Sequence, residues 1–248
     1  MIKITDLKKS FNGKTVLDGV NLDIEEGKIT VIIGRSGEGK SVLIKHIIGL
    51  LKPDAGRIDL DGSELTTLNE REWNEIRRRF GMLFQGAALF DSMTVAENVG
   101  FPLREHTGLR QKEIRSAVQD KLKRVGLVDV EDMMPADLSG GMKKRVGLAR
   151  AIIMDPEIVL FDEPTTGLDP IMSDAIAHLM IDTQRQLKTT YIAITHDIAL
   201  TYKTADKIAM LHEGKIVAEG SSEDIKASRN PVVRQFVEGN AEGPIKVY

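Results

Sequence analysis

The sequence contains no cysteine, so it can form neither a disulfide nor a thiolate metal site, and thiol redox chemistry is closed to it. That fits a reducing cytoplasm. It also lacks any apolar run long enough to cross a bilayer: the stretch from Val42 to Leu51 is broken by Lys45, His46 and Gly49 and falls well short of the ~20 residues needed. Any membrane role must be borrowed from another chain. The first residues, Met1 to Leu7, alternate like a strand and lack the apolar segment of a signal peptide. A strong net charge is missing too. At a formal −3, no whole-molecule field draws the protein onto nucleic acid, which is therefore not an expected partner. Two local basic clusters, Arg77-Arg78-Arg79 and Lys143-Lys144-Arg145, read as solvated helix faces. There is no internal repeat, and low complexity is confined to Glu238 to Tyr248.

What is present is ordinary for a water-soluble domain. With 248 residues, 42% hydrophobic and 29% charged, the chain can bury one large core. Alternation at Val20 to Ile24 and Arg57 to Leu60, with Asp61-Gly62 as a turn, predicts an antiparallel layer. Between these lies Ile29-Thr30-Val31-Ile32-Ile33, an apolar β-branched run typical of a strand buried on both faces. It ends at Gly34, and a helix starts at about Lys40.

From about Thr94 to Met154 the pattern turns helical, with Ile114, Ala117, Val118, Leu122 and Val125 on one face and Gly126 as a stop. This reads as a helical insertion. Strands return at Ile158 to Phe161 and Tyr191 to Thr195, with a helix from about Met172 to Leu187 between them, which implies a parallel α/β core. A hairpin around Gly214 and two short helices follow, the first opened by the capping box Ser221-Ser222-Glu223-Asp224. The expected division is a single domain: a core of about 1–88 and 156–220, a helical subdomain of about 89–155, and C-terminal helices and tail over 221–248.

Two motifs carry chemistry. Gly34-Arg35-Ser36-Gly37-Glu38-Gly39-Lys40-Ser41 follows a buried strand and opens a helix, the context of a phosphate-binding P-loop. Glycines let backbone N–H groups converge on phosphate oxygens, Lys40 reaches the β- and γ-phosphates, and the Ser41 hydroxyl can take a place on Mg²⁺. Asp162 and Glu163 follow the strand Ile158 to Phe161 directly, and buried acids at a strand end usually face a cation or a solvent-filled site. Asp162 is the expected direct or second-sphere Mg²⁺ ligand, and Glu163 the candidate general base.

A third segment narrows the choice. Leu138-Ser139-Gly140-Gly141-Met142 precedes a helical pattern that runs on through Arg145-Val146-Gly147-Leu148-Ala149-Arg150-Ala151. It resembles the signature loop of ABC ATPases, with Met142 in place of the usual Gln. Ser139 can cap that helix while Gly140 and Gly141 leave N–H groups open to an anion. The resemblance extends over nearly the whole chain through Gln85, the loop Gly167-Leu168-Asp169-Pro170, and His196 after Tyr191 to Thr195.

The family resemblance implies a P-loop NTPase fold with an antiparallel β layer and a helical insertion, ATP and Mg²⁺ as cofactors, and a second copy of the chain. The signature loop of that copy closes on the γ-phosphate. It further implies that Gln85 senses Mg²⁺ and a transmembrane permease, that Asp169 links the two copies, and that His196 contacts the γ-phosphate or orients the water. Phe11 sits where the family places an adenine-stacking ring.

Phe84-Gln85-Gly86-Ala87-Ala88-Leu89-Phe90, Pro102 to Thr107 and the Met-ending signature look like the ATPases of Mla-type phospholipid transporters. That likeness implies a periplasmic MCE protein and a STAS-domain protein as further partners, and a place on the cytoplasmic face of the bacterial inner membrane. Ala87 to Phe90 is the expected seat for a permease helix. The alternatives are an ATPase of another importer or exporter, such as one for amino acids or metal ions, and, more remotely, a DNA-associated ABC ATPase. The latter lacks support because only 97 residues separate Lys40 from Asp137, with no sustained heptads.

Overall fold

The computed structural model describes residues 1–246, so the last two residues of the expected tail lie outside the described residues. The chain divides into two compact units, Met1–Glu75 with Ile192–Tyr248, and Ile76–Tyr191.

In the first unit, β1 (Ile2–Phe11) pairs antiparallel with β2 (Lys14–Ile24). β3 (Ile29–Ile33) is buried along its whole length, as its unbroken apolar run requires, and leads into α1 (Lys40–Ile47). β4 (Ala55–Leu60) pairs antiparallel with β1 and turns through Asp61-Gly62 into the short β5 (Ser63–Glu64). Both turn residues have positive φ (52° and 83°), the two-residue hairpin geometry that suits the right-handed twist of strands. The layer is thus antiparallel, as its alternation predicted. α2 (Glu70–Arg77) buries Trp73, whose indole lies where a Cβ on Gly49 would stand, only 2.3 Å from Cε2.

The second unit opens with β6 (Phe80–Leu83), followed by α3 (Val95–His106), α4 (Gln111–Arg124), a 3₁₀ turn at Pro135–Asp137 and α5 (Gly140–Ala151). α3 and α4 approach closely because Gly100 has no Cβ, which would stand 2.9 Å from Ile114 Cγ2. The expected helical stretch 89–155 lies inside this unit. β7 (Ile158–Asp162) pairs parallel with β6, and α6 (Pro170–Leu187) follows, with Asp169 as its N-cap.

The chain returns to the first unit within β8 (Thr190–Thr195) and continues through α7 (Ile198–Thr204), β9 (Lys207–His212), β10 (Lys215–Gly220), α8 (Ser222–Lys226) and α9 (Pro231–Glu238). β9 runs parallel to β3 and antiparallel to β10. The Ser221–Asp224 capping box forms as its residues predict. Beyond α9 the tail is fastened: Gln235 accepts the N–H of Ile245 at 2.7 Å and donates to its carbonyl at 3.1 Å, and Ile245 is buried.

Candidate functional site

In the first unit the loop from Gly34 to Ser41 connects β3 to α1. Gly34 has φ 156°, and a Cβ there would stand 2.4 Å from the Leu211 carbonyl oxygen, so only glycine fits. Gly39, at φ 98°, is the N-cap of α1 and supplies no side-chain cap, and the first turn of this helix holds no acid. Among the described residues seven other helices have a side-chain oxygen at that place, from Asn69, Thr94, Ser139, Asp169, Asp197, Ser221 and Asn230. An uncapped N-terminus with its partial positive charge is suited to an anion.

Lys40 is only 5% exposed, and its ammonium donates to the carbonyls of Gly34 at 2.7 Å and Arg35 at 3.1 Å, so the loop is wrapped around a cation. Ser36, Gly37 and Ser41 face outward. Two side chains of the loop point elsewhere. Glu38 accepts the Glu213 N–H at 2.6 Å and faces His212 Nδ1 at 3.2 Å, tying the loop to the β9–β10 hairpin, and Arg35 donates to the Lys246 carbonyl at 2.8 Å. Their contribution to an anion site is therefore through the backbone. Phe11 is an exposed ring at the end of β1, with Lys9 Nζ 5.4 Å from its centroid, and His196 is exposed just after β8.

In the second unit β7 delivers Asp162, half-buried, and Glu163, 7% exposed. Glu163 takes φ 50°, a left-handed conformation that a residue with a Cβ rarely adopts, and Thr166 Oγ1 donates to its Oε2 at 3.4 Å. Gln85 is exposed beyond the end of β6. Ser139 caps α5, accepting the Met142 N–H at 3.3 Å, and Gly140 is exposed. Gly141 is not open as expected: it is buried, and a Cβ there would meet Met172 Cε at 2.2 Å, so its lack of a side chain makes room for packing. Asp169 accepts from Ile171 and Met172 N–H groups at 2.9 and 3.0 Å.

The second basic cluster corrects its reading as a solvated face. Lys144 is 5% exposed, with its ammonium on the carbonyls of Gln85 and, at 3.2 Å, Glu163. Burial pushes its pKa down, against the pull of Asp162 and Glu163. Arg150 donates to the carbonyls of Ala88 at 2.8 Å and Ala87 at 2.6 Å, and the Asn98 carboxamide accepts the Phe90 N–H at 2.8 Å. Charge alone hid these roles. The signal present was spacing, since Lys144, Gly147 and Arg150 recur every third residue along one helix.

Among the described residues no group of three or more His, Cys, Asp or Glu could hold a metal by itself. Ser41 in the first unit, and Gln85 and Asp162 in the second, each present an oxygen donor, the ligand type that Mg²⁺ takes, one or two at a time, alongside waters and phosphate oxygens.

A family described as "ABC transporter" matches residues 17–166. The chain is 42% identical to the intermembrane phospholipid transport system ATP-binding protein MlaF of Haemophilus influenzae, over 99% of this chain and 93% of that protein. It is 43% identical to a probable ribonucleotide transport ATP-binding protein, mkl, of Mycobacterium leprae, over 98% of this chain and 70% of that one. Among solved structures, the dimeric ATP-binding cassette MJ0796 in a post-hydrolysis state with ADP and Pi is similar at TM-score 0.82 and 31% identity, covering 89% of this chain and 98% of that one. CbiO1 of Clostridium perfringens, part of the ABC transporter complex cbiONQ, matches at TM-score 0.84 and 33% identity, covering 92% and 91%.

Proposed function

The chain belongs to the ABC transporter family, as an ATP-binding, ATP-hydrolysing cassette, and from that premise we propose that it energises phospholipid transport between bacterial membranes. The observation that carries the ATPase reading is the loop around buried Lys40, at a helix start where a glycine cap leaves the N–H groups to a phosphate. The phospholipid reading is supported by the MlaF relative, whose match runs over nearly the full length of both chains, whereas the mkl relative is matched over 70% of its length.

In this reading Lys40 and the N–H groups of Gly34 to Ser41 bind the β- and γ-phosphates, and Phe11 stacks on the base. Ser41, Asp162 and Gln85 hold Mg²⁺, which neutralises phosphate charge when bound. Glu163 takes the proton of the attacking water, and His196 orients that water or contacts the γ-phosphate. Ser139 and Gly140 act on the nucleotide of a second copy, and the buried Gly141 serves them by letting α5 pack against Met172. Exposed Phe84 and Phe90 (39% and 43%) beside Gln85 are the seat of a permease, and a periplasmic MCE protein and a STAS-domain protein complete the assembly. No helix among the described residues is long and apolar enough to span a membrane, and in this reading the chain attaches peripherally through its partners, at the cytoplasmic face of the inner membrane.

Glu163→Gln keeps the shape but cannot accept the proton, so ATP binding should persist while turnover falls by roughly 10²–10⁴. Unchanged turnover would remove Glu163 as the base. For the cargo, native mass spectrometry of the membrane-extracted complex should show bound phospholipid, and a complex carrying a different solute would overturn that part.

A further inference from the structure

Three positions on α5 form one stripe against the loop that follows β6. Lys144 Nζ reaches the Gln85 carbonyl, and Arg150 holds the carbonyls of Ala87 and Ala88. Between them Gly147 lies so close that an added Cβ would be 2.7 Å from Leu83 Cδ1 and 3.2 Å from Ala87 Cβ. The backbone gripped this way is not a relaxed one: Ala87 and Ala88 sit at φ 60° and 48°, left-handed values that a residue with a Cβ keeps only where its surroundings enforce them.

Lys144 does a second thing with the same ammonium. At 3.2 Å it holds the carbonyl of Glu163, itself left-handed at φ 50°, whose oxygen also accepts the Thr166 N–H at 3.3 Å. One buried cation thus joins the backbones of two segments, and it stands on the helix that Ser139 opens. Three donors in a tetrahedral array suit the ammonium to that bridging.

We infer that Lys144 is a positioning residue for ATP hydrolysis, fixing the Gln85 and Glu163 backbones to each other and to the signature helix, so that a shift of α5 moves all of them as one piece. This rests on the reading of Glu163 as general base. Lys144 touches neither phosphate nor water in this account. It acts on the geometry of Glu163, so its removal should cost turnover and spare the affinity for nucleotide.

The test uses the purified full-length chain with Mg-ATP, Glu163→Gln as the reference for loss of the base, and Lys144→Met, which keeps the apolar stem and removes the ammonium. Lys144→Met should lower kcat by about tenfold or more with KM for ATP within about twofold, and Lys144→Arg, which restores the charge and N–H donors, should recover part of the loss. Wild-type kcat in Lys144→Met, or a defect that Lys144→Arg does not relieve at all, overturns the inference. Should Lys144→Met not fold, Lys144→Gln, too short to bridge both carbonyls, decides by the same kcat and KM criteria. Normal turnover in Glu163→Gln would instead sink the reading beneath it, so the two failures are separable.

Discussion

His46 lies on the buried face of α1, with Nδ1 2.7 Å from the Val42 carbonyl and no partner for Nε2 among the described residues. Nδ1–H donates to that carbonyl, so a proton on Nε2 would be a buried, unpaired donor. Burial accordingly lowers the pKa from its ordinary 6.5. With the folded-state value depressed, the unfolded chain binds more protons just below about pH 6.5, so stability present at neutral pH is lost as the pH falls through that window. The melting temperature should therefore drop between about pH 7 and 5.5, and His46→Leu should flatten that slope. Equal slopes in the two proteins would show that His46 does not supply the effect. At this scale the sequence offered as candidates the residues that chemistry marks by type and neighbours, such as Lys40 and Glu163. It concealed Lys144 because a lysine that ends on two carbonyls looks, in a row of letters, like any lysine in a charged face.

Among the elements, β3 and α1 were legible because a doubly buried strand and a glycine-rich turn each leave a strong local pattern. The hairpin at Asp61-Gly62 was legible for the same reason. The loop from Phe84 to Met93 was not: its shape comes from Asn98, just beyond it, which donates to the carbonyls of Phe90, Met93 and Thr94 at 3.0–3.1 Å, and from Arg150, far along the chain, which holds Ala87 and Ala88. Nor was the tail, where a low-complexity stretch is ordered by Gln235 and buried Ile245. The seat expected at Ala87 to Phe90 is uneven, since Ala87 is buried whereas Phe90 is exposed and packs its outer ring on Phe101 at 5.0 Å. Phe90→Ala should weaken co-purification with the membrane partner by about tenfold or more, as truncating an aromatic anchor does, and leave the melting shift with Mg-ATP intact. A variant that assembles at normal yield excludes Phe90 from the dock.

For the molecule as a whole, composition fixed little beyond the lack of cysteine and of a membrane-length apolar run, and the assignment came from the order of motifs along nearly its entire length. That order also implied, through the family resemblance, that each chain carries one phosphate loop and one signature helix whose proposed targets lie on different copies. A site completed by a second copy makes hydrolysis depend on encounter. The measurement that bears most directly on this is the ATPase rate of the isolated full-length chain across a range of protein concentrations at saturating Mg-ATP. The rate should rise more steeply than linearly until dimerisation saturates, because active sites form in proportion to paired chains. A strictly proportional rate across the range in which sedimentation shows the chain passing from monomer to dimer would contradict a shared site.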